Sequence, residues 1–126
     1  MKFQPDTFAG TNAISRHEPG AVWVNNQRFE GSLLVPWKGE VRTWTAPSHD
    51  ALRAEHFDEI LALQPELVIF GSGARLRFIS AALYRGLIGA RIGLETMDSA
   101  AACRTYNVLA AEGRSVVAAL LPNSAD

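Results

Sequence analysis

The sequence predicts an α/β fold built on a mostly parallel sheet, with antiparallel strands contributed by the first third of the chain. Three observations carry this. An apolar run, Leu67 to Phe70, ends in the glycine turn Gly71-Ser72-Gly73. A short strand Arg91–Glu95 and a last apolar run Val116–Leu121 follow it. Helix-like segments separate the three runs. Strand–helix alternation of this kind marks parallel strands joined by right-handed crossovers, so the three strands are expected as neighbours in one sheet.

Taken in order, the elements justify themselves locally. Ala13–His17 reads as an edge strand. Ala21 to Val24 is short and apolar, and Asn25-Asn26 tolerates positive φ, so a tight hairpin is expected with a returning strand Gln27–Val35. Gly31 inside that strand suggests a bulge or a close backbone approach, and Pro36 ends it or confines it to an edge. Glu40–Thr45 alternates and reads as a strand. Pro47-Ser48-His49-Asp50 is punctuation. A helix over Ala54–Leu63 places Phe57, Ile60 and Leu61 on one face, with Leu63 beside them, and Pro65 ends it. A second helix is expected over Asp98–Glu112. Asp98 or Ser99 suits its N-cap and Gly113 its C′ position. The tail Asn123 to Asp126 reads as frayed.

Composition bounds the function classes. The 126 residues suit one domain, 1–126, able to close a core without metal or disulfide. A net charge of −1 supplies no field for nucleic acid or an anionic membrane. The single cysteine, Cys103, cannot form an internal disulfide, which fits a reducing, cytoplasmic setting. The first residues, Met1 to Asp6, read as neither signal peptide nor mitochondrial presequence, and no apolar run is long enough to span a bilayer. His17, His49 and His56 are scattered without ligand spacing, so neither a metal nor a cofactor is expected. His56 reads as part of a solvated acidic helix.

The chemistry-bearing residues gather around the glycine turn. Gly71, Ser72 and Gly73 lie where a parallel strand meets its ligand crevice, and their N–H groups suit a phosphate or carboxylate. Arg75 and Arg77 add charge; from Arg75 to Arg91 there are four arginines and no acid. A dinucleotide fingerprint is incomplete, because Leu76 stands at its third glycine, although Glu95 sits near the place of a ribose-binding acid; a Walker lysine is absent. On the second helix, Ala102, Cys103, Tyr106, Leu109 and Ala110 share an apolar stripe, with Asn107 at its edge. Tyr106 and Asn107 have two open roles: fixing neighbouring loops, or forming the wall opposite the glycine turn in an anion site. Cys103 reads as a core thiol, and no catalytic constellation is legible. Trp23, Trp37 and Trp44 are expected mainly in the core.

The segments Pro65 to Gly73, Arg77-Phe78, Glu95 to Leu109, Glu112 to Arg114 and Ala118 to Pro122 together resemble an uncharacterised domain-of-unknown-function family. Its founding structure is a hypothetical protein of a methanogenic archaeon, and it includes NADH dehydrogenase (complex I) assembly factor 3-like proteins of mitochondria. The likeness covers nearly the whole chain. It implies a single three-layer α/β domain: a central mixed sheet flanked by helices, with an added antiparallel β-hairpin layer from the N-terminal third. Ser72 and Ser99 replace threonines usual in the family, keeping a hydroxyl at each place. Lacking a presequence, the chain resembles a free-standing bacterial member. The family brings no agreed catalytic residues. The expectation is therefore a non-catalytic protein-binding or assembly protein related to respiratory complex assembly, with a protein partner; the sequence assigns no oligomeric state. The alternative is a small enzyme or anion-binding protein that uses the Gly71-Ser72-Gly73 crevice.

Overall fold

The computed structural model describes residues 10–122. The predicted N-terminal features before Gly10 and the tail Asn123 to Asp126 lie outside the described residues. Strands β1 (Ile14–Glu18), β2 (Ala21–Val24) and β3 (Gln27–Glu30) form a three-stranded antiparallel sheet in chain order. The remaining elements are β4 (Leu33–Pro36), β5 (Arg42–Thr43), α1 (Ala54–Leu61), β6 (Leu67–Gly71), a 3-10 turn Ala81–Tyr84, α2 (Arg85–Gly89), β7 (Gly93–Met97), α3 (Ser99–Ala111) and β8 (Val116–Leu120). Their strands form a five-stranded mixed sheet, β5-β4-β8-β6-β7. β6 pairs in parallel with β7 on one side and β8 on the other, and β4 joins antiparallel to β8.

The layers follow from strand periodicity. In β6 and β8 every second side chain meets a different layer. Ile69, Val116, Ala118 and Leu120 face α3 and the three-stranded sheet. Val68, Phe70, Val117 and Ala119 face α1, α2 and Trp44. A strand buried on both faces must read as a continuous apolar run, which β6 and β8 do. The small Ala118 and Ala119 leave room for Tyr106 on one side and for Trp44, Phe57 and Phe70 on the other. These last three rings meet edge-on or tilted, 5.8–6.3 Å between centroids, a favourable aromatic geometry.

Several sequence expectations are corrected by the way segments find burial. The hairpin forms as expected, with Asn25 at φ 52 and Asn26 at φ 69, the positive pair a type I′ turn requires. Gln27–Val35 is not one strand, however. It breaks at Gly31, φ 78, because Gln27 to Glu30 has one face to bury while Leu33-Leu34-Val35 has two; the latter crosses into the five-stranded sheet. Glu40–Thr45 shrinks to β5, since Trp44 leaves the strand to bury its ring and donate Nε1–H to His56 O at 2.9 Å. Trp44 alone of the three tryptophans is fully buried. Trp37 is half-buried against the core, and Trp23 stacks between Arg16 and Arg28 on the three-stranded sheet.

Helix ends explain the remaining shifts. His56 is buried, not solvated, and its Nδ1 accepts the Arg53 N–H at 3.0 Å at the start of α1. α1 stops at Leu61, and Gln64 turns left-handed at φ 52 before Pro65. The strand expected at Arg91–Glu95 begins only at Gly93. Arg91 holds φ 62, while Ile92 N–H reaches Leu87 O and Arg91 N–H reaches Ile88 O. That is a Schellman stop on α2, with arginine in the left-handed position. α3 is bounded as its sequence dictates: Asp98 accepts the Ala101 N–H at 2.8 Å, and Gly113 at φ 85 closes a second Schellman motif. The segment expected to be helical after the glycine turn is an ordered loop, 74–80, before the 3-10 turn.

Candidate functional site at the carboxyl end of β6

The glycine turn leaves β6 at the carboxyl edge of the parallel strands, where β7 and β8 also end. A second loop arrives there by topology. β5 is antiparallel to β4, and β4 to β8, so the chain leaving β5 emerges at the same edge. The result is a crevice of about 50 Å³ lined by Ser48, His49, Ser72, Gly73, Arg75 and Arg77, among others. One water occupies about 30 Å³ of liquid, and pockets that enclose whole metabolites run to roughly 300–1,000 Å³. The crevice therefore has room for one small polar group.

Gly71 does not line it. A Cβ there would sit 2.8 Å from Ser99 Oγ, 2.9 Å from Leu120 Cδ2 and 3.0 Å from Ser99 Cα. Its missing side chain lets the start of α3 press against the strand end. Ser99 Oγ, buried at this junction, donates to Leu121 O at 2.9 Å and accepts the Gly73 N–H at 2.9 Å. Ser72 N–H is spent on Met97 O. The Ser72 hydroxyl accepts the Arg77 N–H at 3.0 Å and donates to Arg75 O at 2.7 Å, with Met97 O a longer second acceptor at 3.2 Å. The N–H groups of Ser72, Gly73 and Arg77 thus hold the turn together and are not free to cradle an anion.

Charge reaches the crevice through side chains. Arg77 Nε is shut from solvent and has no hydrogen-bond partner. Its Nη1 lies 4.0 Å from Asp50 Oδ1, beyond hydrogen-bond reach, on a carboxylate that is 91% exposed. His49 Nε2 donates to Phe78 O at 3.0 Å and so tethers the two loops. Beyond the rim, Leu76 is 50% and Phe78 73% exposed.

Tyr106 and Asn107 do not form the opposite wall; Pro47, Ser48 and His49 do. Helical periodicity puts Tyr106 on the buried face of α3, which packs on β6 and β8 and meets β1 at its edge. The Tyr106 hydroxyl donates to Asn12 O at 3.0 Å, with Pro36 O at 3.1 Å. Asn107 grips Ile14 twice, accepting its N–H and donating to its C=O, each at 2.8 Å. This side-chain amide acts as a one-residue strand partner for β1. Cys103, on the same face, is buried, and burial pushes its thiol pKa up to about 11, opposite to what a nucleophile requires. Among the described residues no three His, Cys, Asp or Glu side chains converge to hold a metal. Sequence reasoning missed the His49 loop and the exposure of Phe78. The first depends on long-range strand pairing; the second had a local signal, an aromatic in a run without helical periodicity.

Residues 14–121 match a family described as protein of unknown function (DUF498/DUF598). The chain is 30% identical over 123 residues to zebrafish (Danio rerio) NADH dehydrogenase [ubiquinone] 1 alpha subcomplex assembly factor 3, covering 94% of this chain and 68% of that protein. An uncharacterised Rhodobacter capsulatus protein is 33% identical over 120 residues, covering 91% of this chain and 88% of its own length. In three dimensions, the solution structure of a Bordetella pertussis protein, a Mth938-like domain, superposes with a TM-score of 0.83 at 28% identity, over 98% of this chain and 94% of that one.

Proposed function

The chain belongs to this family of unknown function, and from that membership we propose that it is a non-catalytic, protein-binding assembly protein related to respiratory complex assembly. The observation that carries the reading is likeness along 94% of the chain to a protein named as a complex I assembly factor. The structure supports it in two ways. The crevice is too small to enclose a metabolite, and the Ser72 hydroxyl and the N–H groups of Ser72, Gly73 and Arg77 are spent internally. Next to it, Phe78 and Leu76 stand exposed beside Arg75 and Arg77, the aromatic-and-arginine composition that dominates interface energetics. The free, buried Cys103 fits a cytoplasmic setting. Among the described residues no helix is long and apolar enough to cross a membrane.

The test is genetic and biochemical. Deleting the gene is expected to lower NADH:quinone activity of isolated membranes, and the tagged chain is expected to capture subunits of that complex. Unchanged activity together with an empty capture overturns the proposal. The second reading, anion binding or chemistry in the crevice, rests on the partnerless Arg77 Nε. It prevails if the pure protein turns over a small anion at a rate abolished by Ser72→Ala or Arg77→Gln.

A further inference from the structure

We propose that the crevice is a socket for one carboxylate, the acidic side chain of a protein partner whose adjacent apolar residue packs on Phe78 and Leu76. This rests on the assembly reading and gives the partner its chemistry. Three observations converge on it. The volume of about 50 Å³ admits a group the size of a carboxylate and little more. Arg77, which lines it, carries a charged Nε–H that is cut off from water and bonded to nothing. The Arg77 side chain is 34% exposed although its Nε is not, so a carboxylate entering the crevice meets the two Nη groups, can take them as a fork, and supplies charge to a guanidinium short of acceptors. Asp50, the acid that approaches Arg77 among the described residues, does not fill the role. Asp50 stays 4.0 Å from Arg77 Nη1 and 3.9 Å from His49 Nδ1 and points into solvent.

The surroundings select a peptide over a free anion. From residue 74 to residue 94 the chain has Arg75, Arg77, Arg85 and Arg91 and no acid. Among the described residues none of the four makes an ion pair within hydrogen-bond distance. Leu76 and Phe78 are 50% and 73% exposed on the same loop, giving an apolar contact that a lone anion has no use for. The Ser72 hydroxyl and the His49–Phe78 bond fix this loop before anything binds, so little ordering entropy opposes docking.

The experiment uses the full chain, isotope-labelled, and three probes: the capped peptide Ac-Leu-Glu-Leu-Glu-NH2, its Gln-for-Glu counterpart, and sodium acetate. The Glu peptide is expected to shift the amides of Ser48, His49, Arg77 and Phe78, with the Gln peptide at least about tenfold weaker. Arg77→Gln and Phe78→Ala each weaken the Glu peptide about tenfold or more while the thermal midpoint holds, and Arg77→Lys, which lacks the fork, does not restore it. Equal binding of both peptides, shifts confined to another face, or no shift at millimolar peptide overturns the proposal. Acetate binding as well as the peptide, untouched by Phe78→Ala, makes the crevice a free-anion site and also overturns it. Capture from cells with the Arg77→Gln/Phe78→Ala double variant separates the two levels. Retained capture leaves the assembly reading standing and removes this surface. No capture by the unaltered chain removes the assembly reading while the peptide result stands.

Discussion

The seam between α3 and the three-stranded sheet and the loop at the end of β6 are both rich in polar side chains, and they differ in where those side chains end. Along the seam the Asn12, Tyr106 and Asn107 side chains end on internal partners, although His17 Nε2 on β1 is buried without one. Asn107 grips Ile14, Tyr106 reaches Asn12 O, and Asn12 donates to Pro36 O and Gly39 O while accepting from Asn25 Nδ2. At the loop the backbone is equally well tied through Ser72, yet Arg77 Nε has no acceptor and Phe78 stands in solvent. A polar network closed on itself fixes structure. A guanidinium short of acceptors beside exposed apolar surface has the form of a contact half made. Each perturbation below tests whether the two regions are as different as this geometry makes them.

The largest effect is expected on the seam. Tyr106 is fully buried, so Tyr106→Ala should destabilise by about 3–5 kcal/mol in urea unfolding. Tyr106→Phe isolates the hydroxyl and should cost about 1 kcal/mol, since Pro36 O keeps its bond from Asn12. A loss below about 0.5 kcal/mol for Tyr106→Ala, the level of an ordinary surface change, would erase the contrast between the regions.

Alkaline pH probes the same seam. Burial raises the Cys103 thiol from 9.0 to about 11, and burial raises the Tyr106 phenol as well. A raised acid stays protonated in the folded state while the unfolded chain releases its proton. Stability is therefore complete below the unfolded pKa and falls as pH rises through the window between the two values. For Cys103 that window runs from about 9 to about 11, and the loss is on the order of 2–3 kcal/mol. Urea midpoints at pH 8 and pH 10.5 should separate, and Cys103→Ala should narrow the gap. A pH-independent midpoint in that range contradicts the tight burial of this face.

An intermediate effect is expected where the two regions meet. Gly71→Ala forces a Cβ to within 3.0 Å of the Ser99 Cα, a backbone atom that a side-chain rotation cannot move away. Overpacking of this kind costs about 1–3 kcal/mol. The strain falls on the Ser99 hinge between loop and helix, so amide shifts should reach both Gly73 and Leu121. Shifts restricted to β6 would show that the regions are less coupled than the shared Ser99 hydroxyl makes them.

Local physics made some of this legible in advance and long-range pairing hid the rest. The doubly buried runs of β6 and β8, the Asn25-Asn26 turn, the Asp98 cap and the Gly113 stop all carry their reasons within a few residues. The departure of Leu33–Pro36 from the hairpin does not, because a strand and its neighbour share one apolar run until burial on two faces pulls them apart. Arg91 in a left-handed conformation breaks the propensity on which a strand start is read. At the site, Ser72, Gly73, Arg75 and Arg77 follow from one strand end and were within reach. The His49 wall requires knowing that β4 runs antiparallel to β8. Periodicity puts Tyr106 on the buried face of α3 and Asn107 at its edge, but it names a face without naming the layer that face meets.

The smallest effect on stability should come from the loop, and its smallness is the point. Phe78 is 73% exposed, so Phe78→Ala gives up little burial, and the Ser72 and His49 bonds to this loop run to backbone atoms at 75, 77 and 78 that the substitution leaves in place. The change in unfolding free energy should stay within about 0.5 kcal/mol. Val108, 58% exposed on α3, is the matched control: another bare apolar side chain, on the closed side of the molecule. Both alanine variants should unfold together with the unaltered chain. Only Phe78→Ala should lose partner capture, by at least about thirtyfold if Phe78 is an anchor worth 2 kcal/mol or more. Loss of capture by both variants, or by Val108→Ala alone, would move the working surface to the α3 side and invert the comparison.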